Sequence, residues 1–441
     1  MTRILATPEA WPRLLLPPSA SDDPTDLAAA VRAGAFAGLR TAIRELGQTA
    51  TIATLADAGL RGRGGAAFPA AEKWRIAAEQ PADRRFVVVN AYGADPASGT
   101  DRTLLERNPY AVVEGAAIAA FAVEAEEAII AVRAEATEAR RAVEAAVAAA
   151  EDAGYLGRDA VESGVTLRVR IAPLSGAYML GEETVLLKAL EGKRGQPEQR
   201  PPYPAVRGLF GAPTVVNNAA TVALVPWILR NGPAAFAALG DPSVPGTWLV
   251  ALRGPSGEGI AEVPTGTPLR TIVELGGGVG TGHTLKALLV GGPSGGLLPP
   301  ELLDTPYLPS ALRAAGAHVG SGSVVVADER SCVVDLARLL TGYCSAEACG
   351  KTIPCRIGTR RLFEIAERIA DGRPKPTDLE LATDLAADVT ASALCDHERL
   401  ATLPLMSALR YFRAELDDHI LRSSCPAGVC RPIAVAAGRG S

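Results

Sequence analysis

The chain has 441 residues, more than one small core can organise, and about three domains are expected at ~150 residues each. Its 44 Lys+Arg against 49 Asp+Glu leave a net charge of −5, which excludes a protein built mainly to coat nucleic acid, and 48% hydrophobic with 21% charged residues excludes wholesale disorder. No apolar run reaches the ~18 residues of a membrane span, and residues 1–18 lack the basic start and long apolar stretch of a secretory signal, so a cytoplasmic chain is expected.

Residues 1–48 hold a proline-rich arm (Pro8, Pro12, Pro17, Pro18, Pro24) and then a helix over 27–46, where Ala29, Val31, Phe36, Leu39 and Ile43 recur at helical spacing. Residues 49–237 read as α/β. A helix over 51–58 leads into the glycine-rich run Gly59-Leu60-Arg61-Gly62-Arg63-Gly64-Gly65-Ala66-Ala67-Phe68-Pro69, followed by a helix over 70–78. The continuous apolar run at 85–90 (Phe86, Val87, Val88, Val89) predicts a strand buried on both faces. A helix over 112–123, a strand over 127–132, a long alanine-rich helix over 135–153 and a strand over 166–172 follow. That alternation predicts a parallel sheet wrapped by helices.

Residues 238–328 read as a small mixed domain, with strands at 247–252 and 287–290, a turn at Pro264-Thr265-Gly266 and a helix over 269–275. Residues 329–422 are helical, at 332–342, 358–371, 379–395 and 404–420, without a strand. A tail over 423–441 carries Cys425 and Cys430.

The glycine run lets backbone N–H groups approach a phosphate or a flat ring, and the helix start behind it favours negative charge; Arg61 and Arg63 add fixed charge. The plainer alternative is a connecting loop. Seven cysteines, an odd number gathered late in the chain, suggest metal rather than disulfides in a reducing compartment. Cys349, Cys355 and Cys395 suit an iron–sulfur cluster, since thiolates from a tight turn and a distant helix can hold one; zinc and buried free thiols are the alternatives. His419, Cys425 and Cys430 could supply three zinc ligands, or the two tail thiols could be idle. Cys332, at the head of an amphipathic helix, reads as core. Glu182-Glu183 could be an acid/base pair, though a helix start is the commoner reason for paired glutamates.

Several ordered segments resemble the NADH-binding flavoprotein subunit of respiratory complex I and of NAD-linked hydrogenases and formate dehydrogenases. They are Gly59 to Gly65 with Phe68-Pro69 and Lys73-Trp74; Gly176-Ala177-Tyr178, Gly181-Glu182-Glu183-Thr184 and Glu191-Gly192; Arg200-Pro201-Pro202-Tyr203-Pro204-Ala205; Pro213 to Asn218; the Cys349 turn; and Ser392 to Cys395. The likeness runs over about 50–422. It implies a Rossmann-like α/β domain for FMN, a soluble-ligand-binding β-grasp module, and a C-terminal helical bundle with an iron–sulfur site. It implies a hydride passed from NADH to FMN and on, as single electrons, to a [4Fe–4S] cluster. Gly62, Arg63, Gly64, Gly65 and Lys73 would border FMN, with Asn90, Tyr92, Tyr178, Gly181, Glu182, Glu183, Asn217 and Asn218 completing the pocket. Cys349, Cys355 and Cys395 would hold the cluster. A separate thioredoxin-like or ferredoxin-like iron–sulfur protein is the expected electron acceptor.

The sequence departs from the family at defined points. Tyr92-Gly93 stand where two acids are usual, Ala67 where a glycine is, Ala219-Ala220 where an acid precedes Thr221, and Thr352 where the middle cluster cysteine is. Three thiolates leave four outcomes: a non-thiolate fourth ligand, recruitment of Cys344, a [3Fe–4S] species, or no cluster. The departures define a second reading, an electron-transfer or scaffold subunit of another redox complex in which NADH oxidation is weakened or lost.

Overall fold

The computed structural model describes residues 2–16 and 23–430; Pro17 and Pro18 of the arm and the tail beyond 430 lie outside them. It divides into two compact units, one running to Ala251 together with Ile260–Thr267, the other Leu252–Gly259 with the chain from Pro268 on.

In the first unit the expected helix over 27–46 is broken. Two short helices, Leu27–Arg32 and Ala37–Thr41, are followed by a wide turn at Ala42–Leu46, and the next helix, α1 (Gly47–Asp57), begins earlier than predicted. The interruption is local: Gly34 and Phe36 take positive φ, and the Phe36 ring is fully buried, stacked 4.2 Å from Tyr155. Packing of one aromatic overrides helical spacing here.

Then come α2 (Ala70–Ala78), β1 (Phe86–Ala91), α3 (Thr100–Arg107), α4 (Pro109–Ala122), β2 (Glu127–Arg133), α5 (Thr137–Asp152), β3 (Val169–Leu174), α6 (Glu183–Leu190), β4 (Thr214–Asn218) and α7 (Ala219–Asn231). The sheet has the order β3-β2-β1-β4, and every pairing in it is parallel. Val87 and Val89 enter one apolar cluster while Phe86 and Val88 enter another, so β1 is covered on both faces as its unbroken apolar run predicts. The alanine and glycine content has a packing consequence. A Cβ at Gly115 of α4 would stand 2.0 Å from the Val222 carbonyl oxygen of α7, so these helices approach at backbone distance.

The stretch read as a small mixed domain holds β5 (Thr247–Gly254), β6 (Gly257–Pro264), α8 (Leu269–Leu275), β7 (Leu285–Val290), β8 (Gly296–Leu298) and β9 (Ser323–Asp328), and it is divided between the two units. They form a five-stranded sheet of order β8-β7-β9-β5-β6, with β7 antiparallel to β8 and β9. The helices that follow are α9 (Val333–Ala346), α10 (Thr359–Ala370), α11 (Asp378–Ala391), α12 (Asp396–Leu400), α13 (Leu403–Tyr411) and α14 (Arg413–Arg422), with no strand among the described residues after β9.

Two buried carboxylates fasten the N-terminal segments to the first unit. Glu114 of α4 accepts the N–H groups of Phe36 (2.7 Å) and Leu39 (3.0 Å). Glu262 accepts those of Leu14 (2.8 Å), Leu15 (2.9 Å) and Leu16 (2.8 Å), and the Thr247 hydroxyl (2.6 Å). Burial pushes the Glu262 carboxyl above its ordinary range, and these donors oppose that shift. Replacing Glu262 by Ala strands three N–H groups and should cost about 2–4 kcal/mol, with the arm detaching to hydrate them. Urea unfolding with hydrogen exchange at residues 14–16 checks this; retained protection there would contradict the role.

Candidate functional site

Although β2 and β3 continue the sheet on one side of β1, β4 pairs on its other side. Connections leaving the carboxyl ends of β1 and β4 therefore diverge, which opens a crevice where open α/β sheets bind ligands. Asn90 is the penultimate residue of β1 and Asn217 and Asn218 end β4, in the register Val89↔Asn217 and Asn90↔Asn218. The glycine run closes on itself at this edge: Gly62 N–H donates to Phe68 O (2.9 Å) and Ala70 N–H to Leu60 O (2.9 Å). Gly64 lies against the end of β4, where a Cβ would stand 3.4 Å from Asn218 Cβ. The helix behind the loop is tied to the same strand. Lys73 Nζ donates to Val216 O (2.9 Å) and pairs with Glu183 (3.4 Å), and Trp74 Nε1 donates to Asn217 Oδ1 (2.8 Å).

The opposite wall is the turn Tyr178–Gly181 and the start of α6. Asn90 Nδ2 donates to Gly181 O (3.0 Å), and a Cβ at Gly181 would come within 2.9 Å of Ala94 Cβ, so the turn sits tightly against the segment leaving β1. Glu182 caps α6, accepting from Thr184 N (2.8 Å) and Val185 N (2.9 Å), which is the helix-start role. Arg200 pairs with both Glu182 and Glu183, so an arginine and a lysine neutralise the two glutamates. The thirteen residues expected to line a cofactor pocket thus gather at one end of one sheet.

Three of them are also engaged by the protein itself. The Arg63 guanidinium is buried and turned to the carbonyls of Arg61 (2.9 Å), Thr247 (2.9 Å) and Pro245, with the Trp248 ring 4.7 Å away. Burial lowers its pKa to about 9. What Arg63 gives the loop is anchorage. The Tyr92 side chain is buried, its hydroxyl donates to Gly176 O (2.5 Å), and Arg133 lies 4.3 Å over its ring, so it braces the two walls. Asn218 caps α7 through Ala220 N–H (2.9 Å) and donates to Asp101 Oδ1 (2.8 Å). Ala67 takes φ 52°, a left-handed position that costs a non-glycine residue about 1 kcal/mol.

Asp101 and Arg133 carry much of this edge and escape sequence reasoning, because lone charged residues give no pattern, while Arg200 stands in a segment singled out from the sequence without a role. Burial raises the Asp101 carboxyl to about 6, against the pull of the Asn218 amide. A carboxyl whose folded pKa exceeds its unfolded value burdens the fold as it ionises, from about pH 4 upward, with the full penalty above pH 6. Between pH 4 and 8, wild-type stability should therefore fall by up to about 3 kcal/mol relative to Asp101→Asn, whose amide oxygen still accepts from Asn218. Urea unfolding across that pH range tests this; parallel curves would refute it.

In the second unit, Cys349 follows the end of α9, Cys355 lies in the wide helical turn Pro354–Gly358, and Cys395 caps α12. Burial raises the Cys355 thiol to about 12, reinforced by Glu398, Cys395 and Cys349 facing it. Thr352 fills the position of the expected middle cysteine, and its hydroxyl donates to Glu398 Oε1 (2.9 Å) while Leu394 N–H donates to Oε2 (2.9 Å). Glu398 is 1% exposed, a buried oxygen donor that the sequence does not advertise. Cys344 is fully buried, with Sγ 3.5 Å from Pro293 O. A second sulfur group gathers Cys425, Cys430 and His419 with Cys332. Cys332 lies in the core, as expected, and its thiol also belongs to this group.

Comparisons with known proteins match this architecture. The Nuo51 FMN-binding domain matches residues 55–227, and the NADH-ubiquinone oxidoreductase-F iron-sulfur binding region matches residues 335–419. The NADH-quinone oxidoreductase F chain of Streptomyces coelicolor is 38% identical over 392 residues, covering 89% of this chain and 87% of the relative. The NADP-reducing hydrogenase subunit HndC of Solidesulfovibrio fructosivorans is 38% identical over 374 residues, covering 84% and 76%. The solved NAD+-reducing [NiFe]-hydrogenase in the H2-reduced state aligns with TM-score 0.77 and 35% identity, over 85% of this chain and 63% of that one. The chain belongs to the family of NADH-quinone oxidoreductase F subunits and related hydrogenase subunits, with an FMN-binding domain and an iron–sulfur binding region.

Proposed function

We propose that the chain is a cytoplasmic NADH-oxidising flavoprotein subunit that delivers electrons to a separate iron–sulfur partner. The observation that carries the reading is the convergence of the Gly62–Gly65 loop with Asn90, Asn217 and Asn218 at the crevice between β1 and β4. FMN bound there would accept a hydride from NADH and release electrons singly to an iron–sulfur cluster. In this reading the backbone of Gly62, Gly64 and Gly65 lies close to the flavin, where a Cβ would intrude. Lys73, held by Val216 O and Glu183, offers a fixed positive charge beside it. Asn90 and Tyr178 shape the wall, and Arg200 keeps Glu182 and Glu183 oriented. Cys349, Cys355 and Cys395 would hold the cluster, and exposed Ile353 and Ile357 beside Cys355 would offer a partner an apolar contact. The small sheet of β5 to β9 is the β-grasp module in this reading.

One observation favours the second reading, a relay or scaffold. At positions 92 and 93 no carboxylate is offered, and the Tyr92 hydroxyl is engaged with Gly176. Adding NADH anaerobically to the purified protein separates the two. Prompt bleaching of the flavin band is expected; a bound flavin that stays oxidised favours the relay, and failure to bind flavin favours the scaffold.

Glu398, whose carboxylate accepts from Thr352, would serve as the fourth ligand of the cluster. It is buried beside Cys355, whereas Cys344 is turned to Pro293. An oxygen-held iron is released more easily than a thiolate-held one. Mild ferricyanide oxidation should therefore convert the wild-type cluster to a [3Fe–4S] signal in electron paramagnetic resonance, and Thr352→Cys should suppress the conversion. Cys344→Ala should leave iron content unchanged; loss of iron in that variant would make Cys344 the ligand instead.

A further inference from the structure

The second sulfur group shares no residue with the crevice between β1 and β4 or with the Cys349 turn, and it is assembled from two distant pieces of sequence. Cys332 caps α9, His419 lies in the last turns of α14, and Cys425 and Cys430 come from the segment after it. One donor atom from each of the four residues lies within 4.8 Å of every other. Cys332 Sγ is 3.5 Å from His419 Nε2 and 3.6 Å from Cys430 Sγ. Three of the four lie outside residues 335–419, the part matched by the iron–sulfur region.

The spacing discriminates between inorganic groups. Four donors sharing one Zn2+, with Zn–S of about 2.3 Å and Zn–N of about 2.0–2.1 Å, span tetrahedral edges of roughly 3.5–3.8 Å. Thiolates around an iron–sulfur cage each bind a different iron on its outside, so they stand farther apart than ligands of a single ion. Separations of 3.5 and 3.6 Å fit the shared ion. Among the described residues, Cys349, Cys355 and Cys395 form no such close group.

The histidine is also set up for metal. His419 is fully buried, and its Nδ1 donates to the Glu415 carbonyl (2.8 Å), which leaves Nε2 as the lone-pair nitrogen facing Cys332. The Glu415 side chain accepts Val333 N–H (3.1 Å) and Lys286 Nζ (2.9 Å), holding α14, the head of α9 and β7 in one network. Cys425 Sγ accepts the Cys430 N–H (3.4 Å), the kind of backbone bond that steadies a thiolate in a short loop.

We propose that Cys332, His419, Cys425 and Cys430 form a structural zinc site that ties the segment after α14 to the head of α9. All four positions come from protein, so no open position remains for substrate or water, and the ion's role is mechanical. α9 leads from this site to the Cys349 turn, and the ion would fix one end of the helix whose other end presents the cluster ligands.

Metal analysis of the full chain, expressed in zinc-supplemented medium, should give one zinc per chain in addition to cluster iron. Zinc K-edge absorption of the unmutated protein should report three sulfurs at about 2.3 Å and one nitrogen at about 2.0 Å. Cys430→Ser and His419→Ala should each lose at least 80% of the zinc while retaining flavin and iron. The absorption measurement stands even if a variant fails to fold. Less than a tenth of a zinc per folded chain, a shell lacking the nitrogen, or loss of iron rather than zinc from His419→Ala would each overturn the assignment.

Discussion

The parallel pairing of β4 with β1 is the constraint on which the crevice between them depends. Had β4 extended the sheet beyond β3, two strands would have separated Asn217 and Asn218 from Asn90. Crossing back instead places three asparagines side by side at the point where the connecting segments diverge. Everything else at that edge hangs on this pairing. α2 is tied to β4 by Lys73 and Trp74, and the glycine loop ahead of it follows; the turn at Gly181 is held by Asn90. The side chains at the edge bind one another and the neighbouring main chain.

The second unit applies a different constraint, the distance between thiols. α9 is a rigid rod of 14 residues, roughly 20 Å long, with Cys332 at its head and Cys349 just past its tail. Sulfur at the head is packed tightly enough to share an ion, while sulfur past the tail is spread around a turn and a second helix cap. The two ends therefore suit different inorganic chemistry although they draw on the same residue type. Zinc carries no redox change, so the head of α9 would anchor the unit without competing for electrons.

Much of this is legible in the sequence. The apolar run at Phe86–Val89 and the later alternation mark three strands of the parallel sheet, because a strand buried on both faces has few ways to be written. β4 escapes such reading: its five residues are short and end in two asparagines, so periodicity has nothing to count. Its crevice residues are nevertheless found through resemblance, since Asn217 and Asn218 sit in a motif that retains its order. Cys332 is hidden for another reason. Its partner His419 lies 87 residues away, and local spacing cannot tell a helix-capping thiol in a core from one aimed at a distant histidine. Glu398 and Asp101 share that fate, since their chemistry comes from burial against another segment.

The departures at Tyr92 and Thr352 look alike in sequence, each replacing a functional residue of the family, but the structure separates them physically. At Tyr92 the new side chain turns inward: its hydroxyl bonds Gly176, its ring receives Arg133, and the pocket edge loses a carboxylate without gaining another acceptor there. At Thr352 the lost thiolate is met by a new neighbour. The threonine hydroxyl donates to a buried carboxylate that also accepts Leu394 N–H, so an oxygen donor is held in place where a thiolate is missing. A buried, oriented carboxylate beside three thiols is costly unless something cationic offsets it, and no cationic side chain bonds to Glu398 in the described network. An iron held there would supply that charge. The substitution at position 352 thus leaves an oriented oxygen donor beside the thiols, whereas the tyrosine at position 92 is spent on bracing the two walls.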